Sequence, residues 1–255
     1  MPAFPPRLLG RTGLSVGPIG FGASYGVPAR AIERAVEAGC NYLCWGSIPR
    51  SGMAEAIRNL RREQFRLALC SYARIPYLLR RGVEKDLRRL ACDYADVLLL
   101  GWWNSAVWRR VLDAALEVQR RGLVRHLGLS THHLPSLERA DPALDVFHLR
   151  YSAAHPAAEQ QVFPKLSPPR PGIVVFTATS WGRLCNPRKT PPGERTPSAT
   201  DCYRFVLTQP AVDLCMTGPA DEAEAEAAVR AATQGPMHPD ELAWMRRVGA
   251  QIRGL

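Results

Sequence analysis

The sequence predicts a single α/β domain over residues 1–255, closed as a (β/α)₈ TIM barrel. Three observations predict it. Strand-like apolar runs alternate with helix-period segments, and the alternation recurs eight times. Several runs are continuously apolar, such as Val97-Leu-Leu-Leu and Ile173-Val-Val-Phe, as expected of strands covered by helices on both faces. No Pro-, Gly- or Ser-rich linker divides the chain. An open doubly wound sheet is the competing architecture, but no G-x-G-x-x-G follows the first strand.

In chain order, the strands are expected at 18–23, 41–46, 65–71, 95–101, 124–130, 145–151, 172–178 and 212–217. Helices are expected between them at Pro28–Cys40, Gly52–Glu63, Ile75–Cys92, Ala106–Arg121, Leu134–Ala140, Ala157–Leu166 and Ala199–Gln209. Two more, Asp221–Thr233 and Asp240–Gly254, follow the last strand. The fourth helix shows the periodicity plainly. Val107, Val111, Ala114, Ala115 and Val118 share one face, and Arg109, Arg110, Arg120 and Arg121 lie elsewhere. Cys185–Pro197, rich in Pro and charge, reads as a loop after the seventh strand.

Composition narrows the function classes. The chain has 255 residues, enough for a substantial core, and is 46% hydrophobic, which argues against disorder. No uncharged apolar run approaches the ~20 residues of a membrane helix, and the start lacks the build of a signal peptide. The expectation is a soluble, cytoplasmic protein. A net charge of +10 would permit nucleic acid or an anionic ligand. The Arg-Arg pairs are spread over several helices, which reads as solvated helix faces, so no nucleic-acid or membrane partner is expected. Seven cysteines without a C-x-x-C pair read as reduced thiols. The lysines are few: Lys85, Lys165 and Lys189.

In such barrels the chemistry sits beyond the C-terminal ends of the strands. Those ends carry Ser24-Tyr25, Cys44-Trp45, Cys70-Ser71-Tyr72, Gly101-Trp102-Trp103, Ser130-Thr131-His132-His133, Arg150-Tyr151-Ser152, Thr177 through Trp181, and Thr217-Gly218. Tyr25, Trp45, Trp102, Trp103 and Trp181 are the candidates for a substrate pocket, because aromatic walls suit a flat or apolar ligand. Packing that plugs the mouth is the competing account.

The opening Arg7-Leu-Leu-Gly-Arg-Thr-Gly-Leu-Ser-Val and Ile19-Gly-Phe-Gly resemble the start of the aldo-keto reductases. So do Ala31 to Leu43, Leu87 to Leu100, Arg121 to Ser130, and Asp213 to Gly218. The resemblance spans nearly the whole chain. It implies the (β/α)₈ barrel with an N-terminal β-hairpin closing its floor. It also implies NADPH-dependent carbonyl reduction by an Asp, Tyr, Lys, His set, in which the Lys-Asp pair acidifies the Tyr.

Residue by residue, that set departs from the pattern. The Asp position falls on Cys44, the Tyr on Pro49, the Lys on Cys70 (Ser71 if the alignment slips by one) and the His on Gly101. The implied cofactor seat is kept in part, at Ser130, Thr131, His148, Phe176, Arg183 and Gly218. Asp221 and Glu222 stand where the family places cations for the adenosine 2′-phosphate. Arg183, Arg188, Lys189 and Arg195 leave an anionic ligand compatible with the loop after the seventh strand.

Two readings follow. One is a relative that has lost the ordinary catalytic set and binds a small molecule, acts with a protein partner, or runs a changed reaction. The other is an NAD(P)H-dependent oxidoreductase with a relocated proton donor, Tyr72 or His132. Cys44 and Cys70 with His132, His133 or His148 would suit zinc, but no short ligand spacing supports it. Small buried thiols are the expectation there, and no metal site is assigned.

Overall fold

The computed structural model describes residues 3–46, 48 and 51–254. Two short strands, β1 (Arg7–Leu8) and β2 (Ser15–Val16), pair antiparallel as a hairpin. The next eight are β3 (Ile19–Gly22), β4 (Tyr42–Trp45), β5 (Arg66–Ser71), β6 (Ala95–Gly101), β7 (Val124–Thr131), β8 (Leu144–Arg150), β9 (Gly172–Phe176) and β10 (Leu214–Thr217). They run parallel in sequence order, and β10 pairs back onto β3 to close the barrel. The helices are α1 (Ala29–Glu37), α2 (Ser51–Asn59), α3 (Pro76–Leu90), α4 (Arg109–Arg120), α5 (Ala158–Gln161), α6 (Ala199–Thr208), α7 (Glu222–Gln234) and α8 (Pro239–Gly254). Among the described residues no helix is long and apolar enough to cross a membrane.

The strand runs are continuously apolar because both faces are covered, and β6 is buried along its whole length. Outward side chains meet the helices. α4 buries Val111, Ala114, Ala115 and Val118 of the expected stripe and Leu112 besides, while Val107 lies before its first residue and is half-buried. Inward side chains of Tyr42, Val97, Leu99, Val146, Val174 and Leu214 pack with Leu9 and Val16 from the hairpin region, which seals the floor.

Asp213 fastens that floor. Its carboxylate, 2% exposed, accepts hydrogen bonds from the backbone N–H of Gly10 (3.2 Å) and Ile173 (2.8 Å) and a fork from Arg170 at 2.6 and 2.8 Å. Gly10 has φ +50°, and a Cβ there would lie 2.2 Å from the Gly172 nitrogen, so only glycine passes so close to the barrel rim.

Two expected helices are reduced. Leu134–Arg139 forms a 3₁₀ turn, and the next segment divides into α5 and a 3₁₀ turn at Phe163–Lys165. Seven residues give under two α-helical turns, and Pro164 has no N–H with which to continue the ladder from α5. The loop expected at Cys185–Pro197 holds only a 3₁₀ turn, Pro187–Lys189.

Candidate functional site

Alternation along the strands decides what reaches the barrel mouth. Gly22, Cys44, Cys70, Leu99, Ser130, His148, Phe176 and Met216, one from each barrel strand, face a cavity of about 540 Å³ at the C-terminal ends. Tyr25, Tyr72, Trp102, His132 and Trp181 rise from the following loops as its walls. The mouth is an open pocket with an aromatic rim.

The floor groups are held neutral. Burial raises the Cys44 thiol well above its ordinary value. Burial also pushes the Cys70 thiol up to about 11, and a hydrogen bond with the Tyr72 side chain draws it partly back. His148 lies 3.0 Å through Nε2 from the Tyr42 hydroxyl, and burial lowers its pKa to about 3. With no carboxylate to pay for an imidazolium charge, this ring stays uncharged at neutral pH. The Tyr42 phenol is raised by the same desolvation. His132, on the wall, is lowered by burial and then by Arg150.

The walls form a run of edge contacts. The Trp102 ring centroid lies 6.0 Å from Tyr72 and 6.1 Å from His132, and His132 stands edge-on to Phe176 at 5.0 Å. Trp102, Trp181 and Tyr25 are each about 60% exposed, an unusual display of indole and phenol surface. The backbone beneath is strained. Trp102, Thr177, Ser180 and Trp181 have φ of 56°, 63°, 52° and 56°, a region that costs a non-glycine residue about 1–3 kcal/mol and that clusters at binding sites.

Two glycines define where the tyrosines go. A Cβ on Gly101 would fall 2.7 and 2.9 Å from the Tyr72 ring and 3.1 Å from the Cys70 Sγ. Tyr72 therefore lies across the ground above Gly101. A Cβ on Gly218 would meet the Tyr25 ring at 2.3 Å.

Other sequence-predicted residues lie elsewhere. Trp45 and Trp103 were expected at the mouth, but both are buried outside the cavity. Trp45 packs toward α3, bonded to Asp86 and covered by Arg89, and Trp103 stacks under Arg74 and against Trp108. Thr131 is likewise buried away from the cavity, its hydroxyl accepting from the His133 N–H and meeting Ser136. For Trp45 and Thr131 the reason is parity, since one residue beyond the inward Cys44 and Ser130 faces the helices. Trp103 lies beyond the end of β6, where the left-handed φ of Trp102 breaks the alternation. Arg183 sits outside the mouth, donating to the Ile252 carbonyl. Pro49 lies outside the described residues. Lys85 is on α3, Lys165 pairs with Glu138, and none of the three lysines lines the cavity. Among the described residues no cluster of three or more His, Cys, Asp or Glu could hold a metal ion.

The sequence reading did not single out Tyr42 and Met216, although both share the inward parity of Cys44 and Gly218. It also gave no role to His155, which the loop after β8 brings edge-on to Trp181 at 5.7 Å.

An eight-stranded barrel with a hairpin floor and a loop-built pocket defines a (β/α)₈ barrel protein. Residues 74–184 match the model of the aldo/keto reductase family. An aldo-keto reductase of Bacillus halodurans superposes with a TM-score of 0.76 at 21% identity, covering 96% of both chains. An aldo/keto reductase of Klebsiella pneumoniae in complex with NADP and acetate gives 0.77 at 18%, covering 95% of both. At such identities these matches establish the shared fold. A methylglyoxal reductase of Salmonella typhi is 28% identical over 71 residues, 27% of each chain, so the alignment spans about a quarter of that relative. The resemblance read from the motifs holds in the fold and in the central segment.

Proposed function

We propose that this chain is an aldo-keto-reductase-like barrel that has exchanged the reducing machinery for a neutral, aromatic-walled pocket, and that it binds a flat, largely apolar small molecule there. One observation carries the reading. No Asp, Glu, Lys or Arg is among the described residues that line the mouth cavity. A phenol acting as proton donor needs a neighbouring cation to acidify it. Here Tyr72 faces a protonated thiol and a glycine instead. Indole and phenol rings offer large contact area to a planar ligand at small entropic cost.

The residues present do not fit NADPH in the family's pose, although the Klebsiella protein was solved with NADP. Phe176 keeps a ring for the nicotinamide. However, Thr131 is turned away and the Tyr25 ring covers Gly218. The start of α7 is already capped by its own carboxylates, since Asp221 accepts from the Glu224 N–H at 2.9 Å and Glu224 accepts from the Ala220 N–H at 2.8 Å. Glu222 beside them pairs with Arg30 and Arg34. A 2′-phosphate would meet three carboxylates there. The proposal includes a cytoplasmic location, in keeping with seven free thiols. It includes a small-molecule partner, with a protein partner as the further possibility, and neither nucleic acid nor membrane.

The test is calorimetric titration with 2-naphthol, a neutral flat probe. Saturable one-to-one binding that weakens at least about fivefold in Trp102→Ala and in Trp181→Ala supports the reading. Absence of binding, or binding indifferent to both substitutions, refutes it.

A second reading, an oxidoreductase with Tyr72 or His132 as relocated donor, is favoured by one placement. The Tyr72 ring lies over the glycine that aligns with the family's histidine, within hydrogen-bonding reach of Cys70. Turnover of a carbonyl substrate that disappears in Tyr72→Phe would select it.

A further inference from the structure

Beside the mouth lies a second and larger concavity, of about 700 Å³, between the loops after β7 and β8 and the end of α8. Four guanidiniums converge on it from separate parts of the chain. Arg150 comes from the end of β8, Arg183 from the loop after β9, and Arg246 and Arg253 from α8. Glu159 is the one acidic side chain among the described lining residues, and it is already engaged. Its oxygens accept from the Tyr151 hydroxyl at 2.6 Å and from Arg246 at 3.0 Å. Arg150, Arg183 and Arg253 have no carboxylate partner among the described residues.

Arginines on a convex helix face are normally solvated and need no ligand. Here, guanidiniums of three elements line one cleft, and Glu159 offsets only Arg246, which leaves Arg150, Arg183 and Arg253 without a carboxylate among the described residues. The cleft's imidazole registers that field. His155 is depressed to about 4, by burial first and then by Arg150 and Arg183. A single carboxylate would occupy one guanidinium fork, whereas a phosphate group presents oxygens enough for several at once.

We infer that this cleft is a binding site for a phosphate group, free or carried on a small organic molecule. The site is joined to the mouth. His132 lines both spaces, and Trp181 of the mouth rim has Arg150 at 5.8 Å and His155 at 5.7 Å. A phosphate monoester could thus set its charged end in the cleft and its body against Trp181. The inference stands apart from the reading of the mouth, and its failure would leave that reading intact.

The test is calorimetry at low salt with inorganic phosphate, phenyl phosphate and phenol as probes. The wild-type chain is expected to bind both phosphates saturably, more weakly as salt rises, and to bind phenol far less. Arg150→Gln should weaken phosphate binding about tenfold, the loss of one charge-assisted fork. Arg253→Gln should weaken it at least about threefold. Arg253 is exposed, and its side chain has no hydrogen bond or ion pair among the described residues, so this variant reports even if Arg150→Gln misfolds. Arg109→Gln, the same charge change on the exposed face of α4, should alter binding less than about twofold. Phenyl phosphate binding more tightly than phosphate assigns the site to a monoester, and equal binding assigns it to the free anion; either supports the site. No saturable phosphate binding, or equal loss in Arg109→Gln and the cleft variants, overturns it.

Discussion

Replacing Gly101 by alanine probes the exchange at the centre of the mouth. The new methyl would lie 2.7 and 2.9 Å from Tyr72 ring carbons and 3.1 Å from the Cys70 Sγ, closer than carbon and sulfur atoms approach. Overpacking of this kind costs about 1–3 kcal/mol. Tyr72 is 41% exposed and can swing outward, which favours the lower half of that range. Against it stands a gain of about 0.5 kcal/mol, because alanine has less unfolded-state freedom than glycine. A double-mutant cycle separates the two. In a Tyr72→Ala background the clash with the ring vanishes, leaving the 3.1 Å approach to the Cys70 Sγ against the entropic gain, so Gly101→Ala becomes nearly neutral. The expected coupling between the sites is about 1–2 kcal/mol, read from urea unfolding of the four proteins. Coupling under about 0.5 kcal/mol, the ordinary error of additivity, would refute the claim that Tyr72 occupies the ground above residue 101.

Three other outcomes are expected. His148 has a folded value of about 3 against about 6.5 when unfolded, so the unfolded chain binds one more proton between those limits. Its contribution is whole above pH about 6.5 and falls as pH drops toward 3, by at most ~1.4 kcal/mol per unit; His148→Gln should flatten the stability profile there, and unchanged slopes would contradict the assignment. Cys44 and Cys70, half-buried and both raised by desolvation, should resist iodoacetamide at neutral pH in the folded protein, and their rapid alkylation in peptide maps would show that the floor is not what we describe. Asp213→Ala strands the half-buried Arg170 and two backbone N–H groups, at an expected cost of about 3–5 kcal/mol in unfolding experiments; a loss under about 1 kcal/mol would remove it as the floor's anchor.

The barrel was legible because its signal is long and redundant. Ala95–Gly101 was bounded to the residue, and the other barrel strands to within about two residues at each end, since continuous apolar runs occur where a strand is covered twice. The fifth and sixth helices were overread because apolar spacing says nothing of a missing N–H at Pro164 or of a connection too short to wind. At the mouth, residue type alone misled. Trp45 and Trp103 look like pocket walls beside Trp102, yet Trp45 is one position out of phase with the inward face, and the left-handed turn at Trp102 carries Trp103 away from it. Tyr42 and His148 meet 106 residues apart in sequence, and only the closed sheet brings them together. The arginine-lined cleft was legible only at Arg183, because Arg150, Arg246 and Arg253 belong to other elements and look like ordinary surface charge until the fold brings them to one cleft.

The central claim is that a neutral aromatic pocket stands where a reductase would keep its acidified phenol. The most direct measurement is a titration of the purified protein with NADPH, followed by the same mixture supplied with methylglyoxal while NADPH absorbance is recorded. We predict no saturable cofactor binding up to millimolar concentration and no oxidation above the protein-free rate. Saturable binding in the micromolar range with sustained, protein-dependent NADPH consumption would contradict the account.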